Sequence, residues 1–207
     1  MLNLPDDPLA DVSRETLARL ERLQALTLKW TRKVNLIAPL PSEEFWDRHI
    51  RDSAQLWKVK PEQAETWIDL GSGGGFPGLV IAALAYEKSP DLEITLVDSD
   101  QRKCVFLRQA ARELGFGTTV LNARIETVKI QPADVISARA LAALKDILRL
   151  STPFTKPSTR FILPKGKTAQ AELEAAQDSW SFKQTIYQSV TDSDARLLVL
   201  SDVFQRT

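Results

Sequence analysis

Residues I68-D-L-G-S-G-G-G-F-P-G78 place five glycines and a proline in eleven positions, directly after the apolar run Trp67–Leu70. Glycine is costly in regular structure because it gives up more backbone freedom on folding than any other residue. A tight turn needs one or two glycines, so a run of five reads as a cradle for a ligand. The stretch leads from a predicted strand into a predicted helix running from Pro77 to about Ala85. In a doubly wound sheet this first strand-to-helix turn lies at the carboxyl ends of the strands, where ligands bind.

Outward from this stretch, the period of the apolar residues divides the chain. Leu17, Leu20, Leu23, Leu26 and Trp30 recur at spacings of three and four, predicting an amphipathic helix over 13–31. After A-P-L-P (38–41), Ser42 with Glu43 and Glu44 predicts a second helix start, since carboxylates suit the positive end of the helix dipole. That helix is expected to run to about Val59. From residue 65 short apolar runs follow at 66–70, 93–97, 118–122, 133–137 and 160–163. Helix-like segments alternate with them: 101–114, closed by Gly115, then 141–150 and 169–180. Two further strand-like runs, 182–189 and 196–203, are close enough to pair as an antiparallel hairpin. Alternating strands and helices predict a Rossmann-like α/β fold with a mainly parallel seven-stranded sheet and an antiparallel edge. The expected division is a helical cap over residues 1–60 and an α/β domain over 61–207, in one compact unit.

Composition narrows the function class. Lys+Arg and Asp+Glu both total 27, so net charge announces no nucleic-acid partner. No run approaches the roughly 18 apolar residues of a membrane span. The stretch M-L-N-L-P-D-D-P has no basic-then-apolar signal pattern. A cytoplasmic, monomeric protein with no membrane association is the expectation. The single Cys104 excludes an internal disulfide, and the single His49 excludes a histidine-based metal cluster.

Two ligand classes compete for the glycine loop. A dinucleotide fingerprint requires G-x-G-x-x-G, with its pyrophosphate on the helix N-terminus. Here Phe76 occupies the sixth position and breaks that pattern. What stands in the chain is D-x-G-x-G-x-G: Asp69, Gly71, Gly73 and Gly75. A carboxylate before the first glycine suits an ammonium and repels a pyrophosphate, which favours S-adenosylmethionine. The second strand ends at Asp98, where a carboxylate can accept from both ribose hydroxyls. Acidic residues there are shared with NAD enzymes, and Asp98 and Asp100 also read as ordinary turn carboxylates.

Several segments together resemble one family: W30-T-R-K-V-N-L-I-A38, H49-I-R-D-S53, D69-L-G-S-G-G-G-F-P-G78, L96-V-D-S-D-Q-R-K-C-V-F-L107, A123-R-I-E126, S137-A-R-A140 and P164-K-G166. In this order they resemble the RsmG family, bacterial guanine-N7 methyltransferases of 16S ribosomal RNA, formerly called glucose-inhibited division protein B. The resemblance runs from about residue 14 to 200. It implies a class I S-adenosylmethionine-dependent methyltransferase, producing 7-methylguanosine in the rRNA of the small ribosomal subunit or its precursor. It also implies cofactor contacts at Gly71, Gly73 and Phe76, ribose contact at Asp98, adenine neighbours at Ile125 and Glu126, and Arg139 on the substrate side of the pocket; Asp69 and Gly75 of the loop pattern and Arg139 complete the expected cofactor-binding set. Ile37, where a threonine is expected, and Asp98-Ser-Asp, in place of glutamate-serine, depart from the family pattern. A class I methyltransferase acting on another RNA or a small molecule is the alternative.

The absences are informative too. Methylation at cytosine C5 needs a cysteine nucleophile, and Cys104 sits mid-helix in R-K-C-V-F-L, where it reads as a small core residue. Methylation of an exocyclic amine typically uses an N/D-P-P-Y/F loop after the fourth strand, where this chain has I-S-A-R-A-L. Guanine N7 carries a lone pair and no proton, so positioning alone suffices and no catalytic acid or base is assigned. RNA contact is expected from local charge: Arg32, Lys33, Arg48 and Arg51 in the cap, Arg124, and Lys165 and Lys167 in an acid-free stretch. His49 and Asp52, three apart on one helix face, read either as local structure or as a lining of the pocket entrance.

Overall fold

The computed structural model describes residues 2–5 and 7–206. Among these, seven strands form one sheet in the order β3-β2-β1-β4-β5-β7-β6. They are β1 (Thr66–Leu70), β2 (Glu93–Asp98), β3 (Thr118–Asn122), β4 (Val135–Ala138), β5 (Arg160–Lys165), β6 (Trp180–Gln188) and β7 (Arg196–Gln205). The first five are parallel, and β7 runs antiparallel to both β5 and β6. Strand order reverses between β1 and β4, so a crevice opens beyond their carboxyl ends.

Side-chain alternation along the strands sorts the core into two layers. On β1, Trp67 faces one cluster, which contains α1 (Arg14–Thr31), α4 (Gly78–Lys88) and α5 (Gln101–Leu114). Ile68 and Leu70 face the other, with α6 (Leu144–Ser151) and α7 (Ala169–Gln177). Helix α4, sequence GLVIAALAYEK, is apolar on every side because it is enclosed on every side: Gly78 through Ala85 are all buried. A helix that is hydrophobic all round is stable only when covered in this way. The cover is the N-terminal layer, whose Leu20, Leu23, Phe45 and Ile50 join Leu79 and Ile81 in one cluster.

Local signals fix the helix ends. Ser13 Oγ accepts from Thr16 N at the start of α1, and Asp100 caps α5 through the amides of Arg102 and Lys103. Gly115 closes α5 at φ +77°, a left-handed conformation that glycine adopts without steric cost.

Several boundaries differ from the sequence reading, three of them for a visible reason. The second helix is not regular: α2 (Ser42–Phe45) passes into a π-helical turn over Trp46–Arg51, then α3 (Asp52–Ala54) and a 3-10 turn over Gln55–Val59. Helix α6 begins at Leu144, because Ala140 takes φ +52° and the chain turns there. Helix α7 ends at Gln177, and Trp180 opens β6 paired to Gln205. Asp178 and Ser179 favour turns over helix, and they release the indole into the second core layer.

Candidate functional site

A cleft of about 1080 Å³ opens at the carboxyl ends of β1, β4 and β5. Its walls are the glycine loop (Gly71 to Gly74 and Phe76), the cap segments 36–38 and 43–52, and residues after β4 and β5. The size suits a nucleoside-sized ligand.

The glycines of the loop are bare for different reasons. A Cβ on Gly71 would stand 2.7 Å from Leu141 Cδ1, and one on Gly74 would stand 2.9 Å from the Leu36 carbonyl oxygen. On Gly75 it would meet Leu79 and Leu107; on Gly78 it would meet Leu96 and Asp69. Gly73 alone in the loop has no such neighbour: its nearest heavy atom would be Gly71 O at 3.7 Å. Four glycines therefore admit the protein's own packing, and Gly73 presents bare backbone to the cleft at φ +54°.

Asp98, at the end of β2, holds this backbone in place. Its Oδ2 accepts from Gly73 N and its Oδ1 from Asp100 N, both at 2.8 Å. Each carboxylate oxygen keeps a lone pair for a further donor. The neighbouring Cys104 thiol is buried and lies 3.3 Å from the Asp98 carbonyl. Burial, reinforced by the Asp98 charge, raises its pKa, which is opposite to what a nucleophile needs.

Two of the expected ligand contacts lie outside the cleft lining. Asp69 does not reach the cleft; it is fully buried behind the loop. The parallel register sets it beside Ser137, whose hydroxyl donates to Asp69 Oδ1 at 2.6 Å, while Gly78 N donates to Oδ2 at 3.2 Å. Trp67 Nε1 donates in turn to Ser137 Oγ at 2.8 Å. Burial raises the Asp69 carboxyl to about 6, against the opposing hydrogen bonds of Ser137 and Gly78. The residue shapes the loop from behind. Gly75 likewise faces Leu79 and Leu107 rather than the cleft.

Phe76 does face the cleft, within an aromatic group. The His49 ring stacks on Phe76 at 4.9 Å, and Phe45 meets both edge-on at 5.7 and 5.0 Å. The Arg139 guanidinium lies 5.6 Å from the Phe76 ring centroid. It bonds to His49 Nδ1 at 2.8 Å, Asp52 Oδ2 at 3.2 Å and the Arg48 carbonyl at 3.0 Å. The cap is thereby tied to the end of β4. Burial first, then the charges of Arg139 and Arg48, push the His49 pKa down to about 3, so the imidazole is neutral. Burial raises the Asp52 carboxyl in spite of Arg139.

The remaining predicted residues are dispersed. Ile125 and Glu126 stand on a 3-10 turn beyond β3, the first buried in the second core layer and the second exposed. Arg32, Lys33, Arg124 and Lys167 are exposed. Arg48 lines the cleft, whereas Arg51 pairs with Asp47 at 2.9 Å. Lys165 is held by Glu172 at 2.7 Å and the Ala142 carbonyl at 2.9 Å. Lys103 and Arg196 also line the cleft, although sequence reasoning did not select them. Among the described residues no group of His, Cys, Asp and Glu could hold a metal ion, and no helix is long and apolar enough to cross a membrane.

The comparisons agree with this geometry. A family model described as rRNA small subunit methyltransferase G matches residues 16–199. The Ribosomal RNA small subunit methyltransferase G of Jannaschia sp. (strain CCS1) is 49% identical over 187 residues, covering 90% of this chain and 89% of that one. Its counterpart in Cereibacter sphaeroides (strain ATCC 17025) is 48% identical over 190 residues, covering 92% and 91%. Among solved structures, an O-methyltransferase from Bacillus cereus in complex with SAH superposes with TM-score 0.60 at 13% identity, covering 93% and 94%. A ribosomal protein L11 methylase from Lactobacillus delbrueckii subsp. bulgaricus gives 0.59 at 14%, covering 75% and 78%. At such identities the structural matches establish the methyltransferase fold alone.

Proposed function

We propose that this chain, which belongs to the rRNA small subunit methyltransferase G family, methylates N7 of a guanine in 16S ribosomal RNA with S-adenosylmethionine as donor. The observation that carries the cofactor reading is Gly73: bare backbone facing the cleft, beside a carboxylate with lone pairs to spare. Gly71, Gly73 and Phe76 would line the cofactor, Asp98 would accept its ribose hydroxyls, and Ile125 and Glu126 would flank its adenine. When bound, the cofactor supplies an electrophilic methyl on a sulfonium.

The chain's own residues then have a limited task. Guanine N7 has a lone pair and no proton, so no side chain need remove one. At the cleft His49 is neutral and committed to Arg139, and Cys104 is a buried thiol outside the cleft lining. Neither is an available base or nucleophile, which matches a reaction driven by alignment of N7 with the methyl group. Cap residues from 36–38 and 43–52 wall the cleft. Arg139 stands on the substrate side, where a planar guanidinium can grip phosphate or a base edge. Arg32, Lys33, Arg48, Arg124 and Lys167 would meet RNA phosphate, and their contribution should fall with salt.

Residues 1–60 would serve as the cap and 61–207 as the catalytic domain of one unit, acting as a monomer in the cytoplasm on 16S rRNA or the 30S particle. Incubation with methyl-labelled S-adenosylmethionine and small-subunit rRNA from a strain lacking the activity tests it. Labelled 7-methylguanosine is expected; its absence from both naked RNA and 30S particles rejects the reading.

A further inference from the structure

Two stretches far apart in the chain carry cations and no acid. Residues 22–42 hold Arg22, Lys29, Arg32 and Lys33, and residues 101–112 hold Arg102, Lys103, Arg108 and Arg112, in a chain whose cations and acids balance at 27 each. Folding sets the two stretches side by side. Trp30, near the end of α1, meets Phe106 of α5 with ring centroids 5.7 Å apart, and both helices pack into one core cluster.

The two faces of α5 are chemically distinct. Cys104, Phe106, Leu107, Ala110, Ala111 and Leu114 are buried. Arg102, Val105, Arg108 and Arg112, spaced three and four apart, are exposed and share the outer face. At 1.5 Å per residue the three arginines span about 15 Å, the rise of roughly four nucleotides along one strand. Arg108 and Arg112, four apart, repel one another. Of the eight cations only Arg102 pairs with a carboxylate among the described residues, Asp100 at 3.4 Å on the open surface. Arg108 donates to the Val120 carbonyl at 3.0 Å, and Glu113, the first acid beyond the stretch, is taken by the Gln109 amide at 2.6 Å. Lys29, Arg32 and Lys33 are exposed at and just after the end of α1, and Lys103 lines the cleft.

We propose that this face, the outer side of α5 together with the end of α1, docks the phosphate backbone of the substrate RNA beside the target nucleotide. The inference rests on the proposed rRNA methyltransferase reading. An unneutralised row of cations draws a polyanion, and a guanidinium fork fits phosphate. Val105 is the one large apolar side chain exposed on α5. The face therefore lacks the apolar centre of a protein interface and the apolar stripe of a helix that lies on a membrane. Lys103 continues the row of charge into the cleft, so one RNA can present a base there and its flanking phosphates to α5. Arg102, Arg108 and Arg112 do not line the cleft, which makes RNA docking and cofactor binding separable by mutation.

The test replaces three arginines together, Arg102→Gln, Arg108→Gln and Arg112→Gln. The control triple, Lys145→Gln, Arg149→Gln and Lys183→Gln, removes the same charge from exposed positions on α6 and β6. Binding to small-subunit rRNA and to 30S particles is followed between 50 and 200 mM salt. Each phosphate contact contributes about 0.7–0.9 to the slope of log affinity against log salt, so the α5 triple should flatten the parent slope by about 2–3. Its affinity deficit should then be about 20- to 40-fold larger at the low end of that range than at the high end. KM for RNA should rise with kcat held, and affinity for S-adenosylhomocysteine should not change. The control triple should keep the parent slope.

An α5 triple with the parent slope, or a control triple that loses as much, overturns the inference. Where the parent still forms 7-methylguanosine in that case, the docking face is wrong and the methyltransferase reading stands. A parent that binds neither rRNA nor 30S particles at any salt brings down both. A photo-crosslinker in place of Val105 then identifies the partner on the 30S particle. Label in 16S rRNA is expected, and label in a ribosomal protein overturns the inference.

Discussion

Gly73→Ala separates a residue that serves ligand from four that serve packing. The new methyl would meet nothing closer than the Gly71 carbonyl oxygen at 3.7 Å, so the fold has room for it. What remains is the backbone cost of holding an L-residue at φ +54°, roughly 1–2 kcal/mol. In a chain of this length that should lower Tm by about 2–8 °C. Binding should suffer more, because the methyl projects into the cleft where ligand is proposed to lie. Forcing an extra methyl into a filled contact costs about 1–3 kcal/mol, or roughly 5- to 150-fold in affinity. Calorimetry with S-adenosylhomocysteine measures this, and Gly115→Ala is the control. Gly115 sits at φ +77° with nothing within 4 Å of a Cβ, at the far end of α5. It should show a similar thermal loss with unchanged affinity. If Gly73→Ala binds within threefold of the parent, or if Gly115→Ala weakens binding equally, the assignment of Gly73 to the ligand is wrong.

Other outcomes follow from the same geometry. Gly78→Ala should destabilise the fold by about 1–3 kcal/mol through overpacking, because its Cβ would press on Leu96 and stand 2.8 Å from Asp69 Oδ2; a change in Tm below 2 °C would contradict this. Asp69, raised from 3.8 to about 6, favours its proton in the folded state. The folded chain therefore carries a cost above pH 6 that is relieved as pH falls toward 3.8, up to about 3 kcal/mol for two units. Asp69→Asn should accordingly gain on the parent in urea unfolding at pH 7.5 relative to pH 4.5, and a pH-independent difference would refute the buried-carboxylate account. Glu172→Ala strips Lys165, Leu144 N and Thr168 of a shared acceptor and should cost about 1–3 kcal/mol. Added Lys165→Met should restore part of that loss by removing the unpaired ammonium.

The strands were legible because an apolar run of four to six residues between turn signals leaves little choice, and β1 and β3 fall where the pattern put them. The cofactor loop was legible as a location but not as a set of contacts. D-x-G-x-G-x-G reads alike whether its carboxylate faces ligand or Ser137, and only the β1–β4 register decides that. The partners of Arg139 lie 87 to 91 residues away, beyond any local period, and the π-turn that delivers them leaves no mark in a helical pattern. The acid-free stretch around Lys165 looked like an RNA-facing surface. That stretch carries Lys156, Arg160, Lys165 and Lys167, and folding brings Asp134 to Lys156 and Glu172 to Lys165, each at 2.7 Å, so two of its four charges are already answered.

The 2.9 Å between the Leu36 carbonyl and the position of a Cβ on Gly74 bears on how this enzyme can be re-engineered. At Gly74 the cap rests on the glycine loop backbone to backbone, with only the Ile37 Cγ2 beside the contact, 3.1 Å from that Cβ position. Replacing residues 1–60 with the amino-terminal segment of another methyltransferase would therefore not be a modular graft. The donor segment would have to reproduce the path of the chain at 36 to within a few tenths of an ångström, or the loop would have to be rebuilt with it.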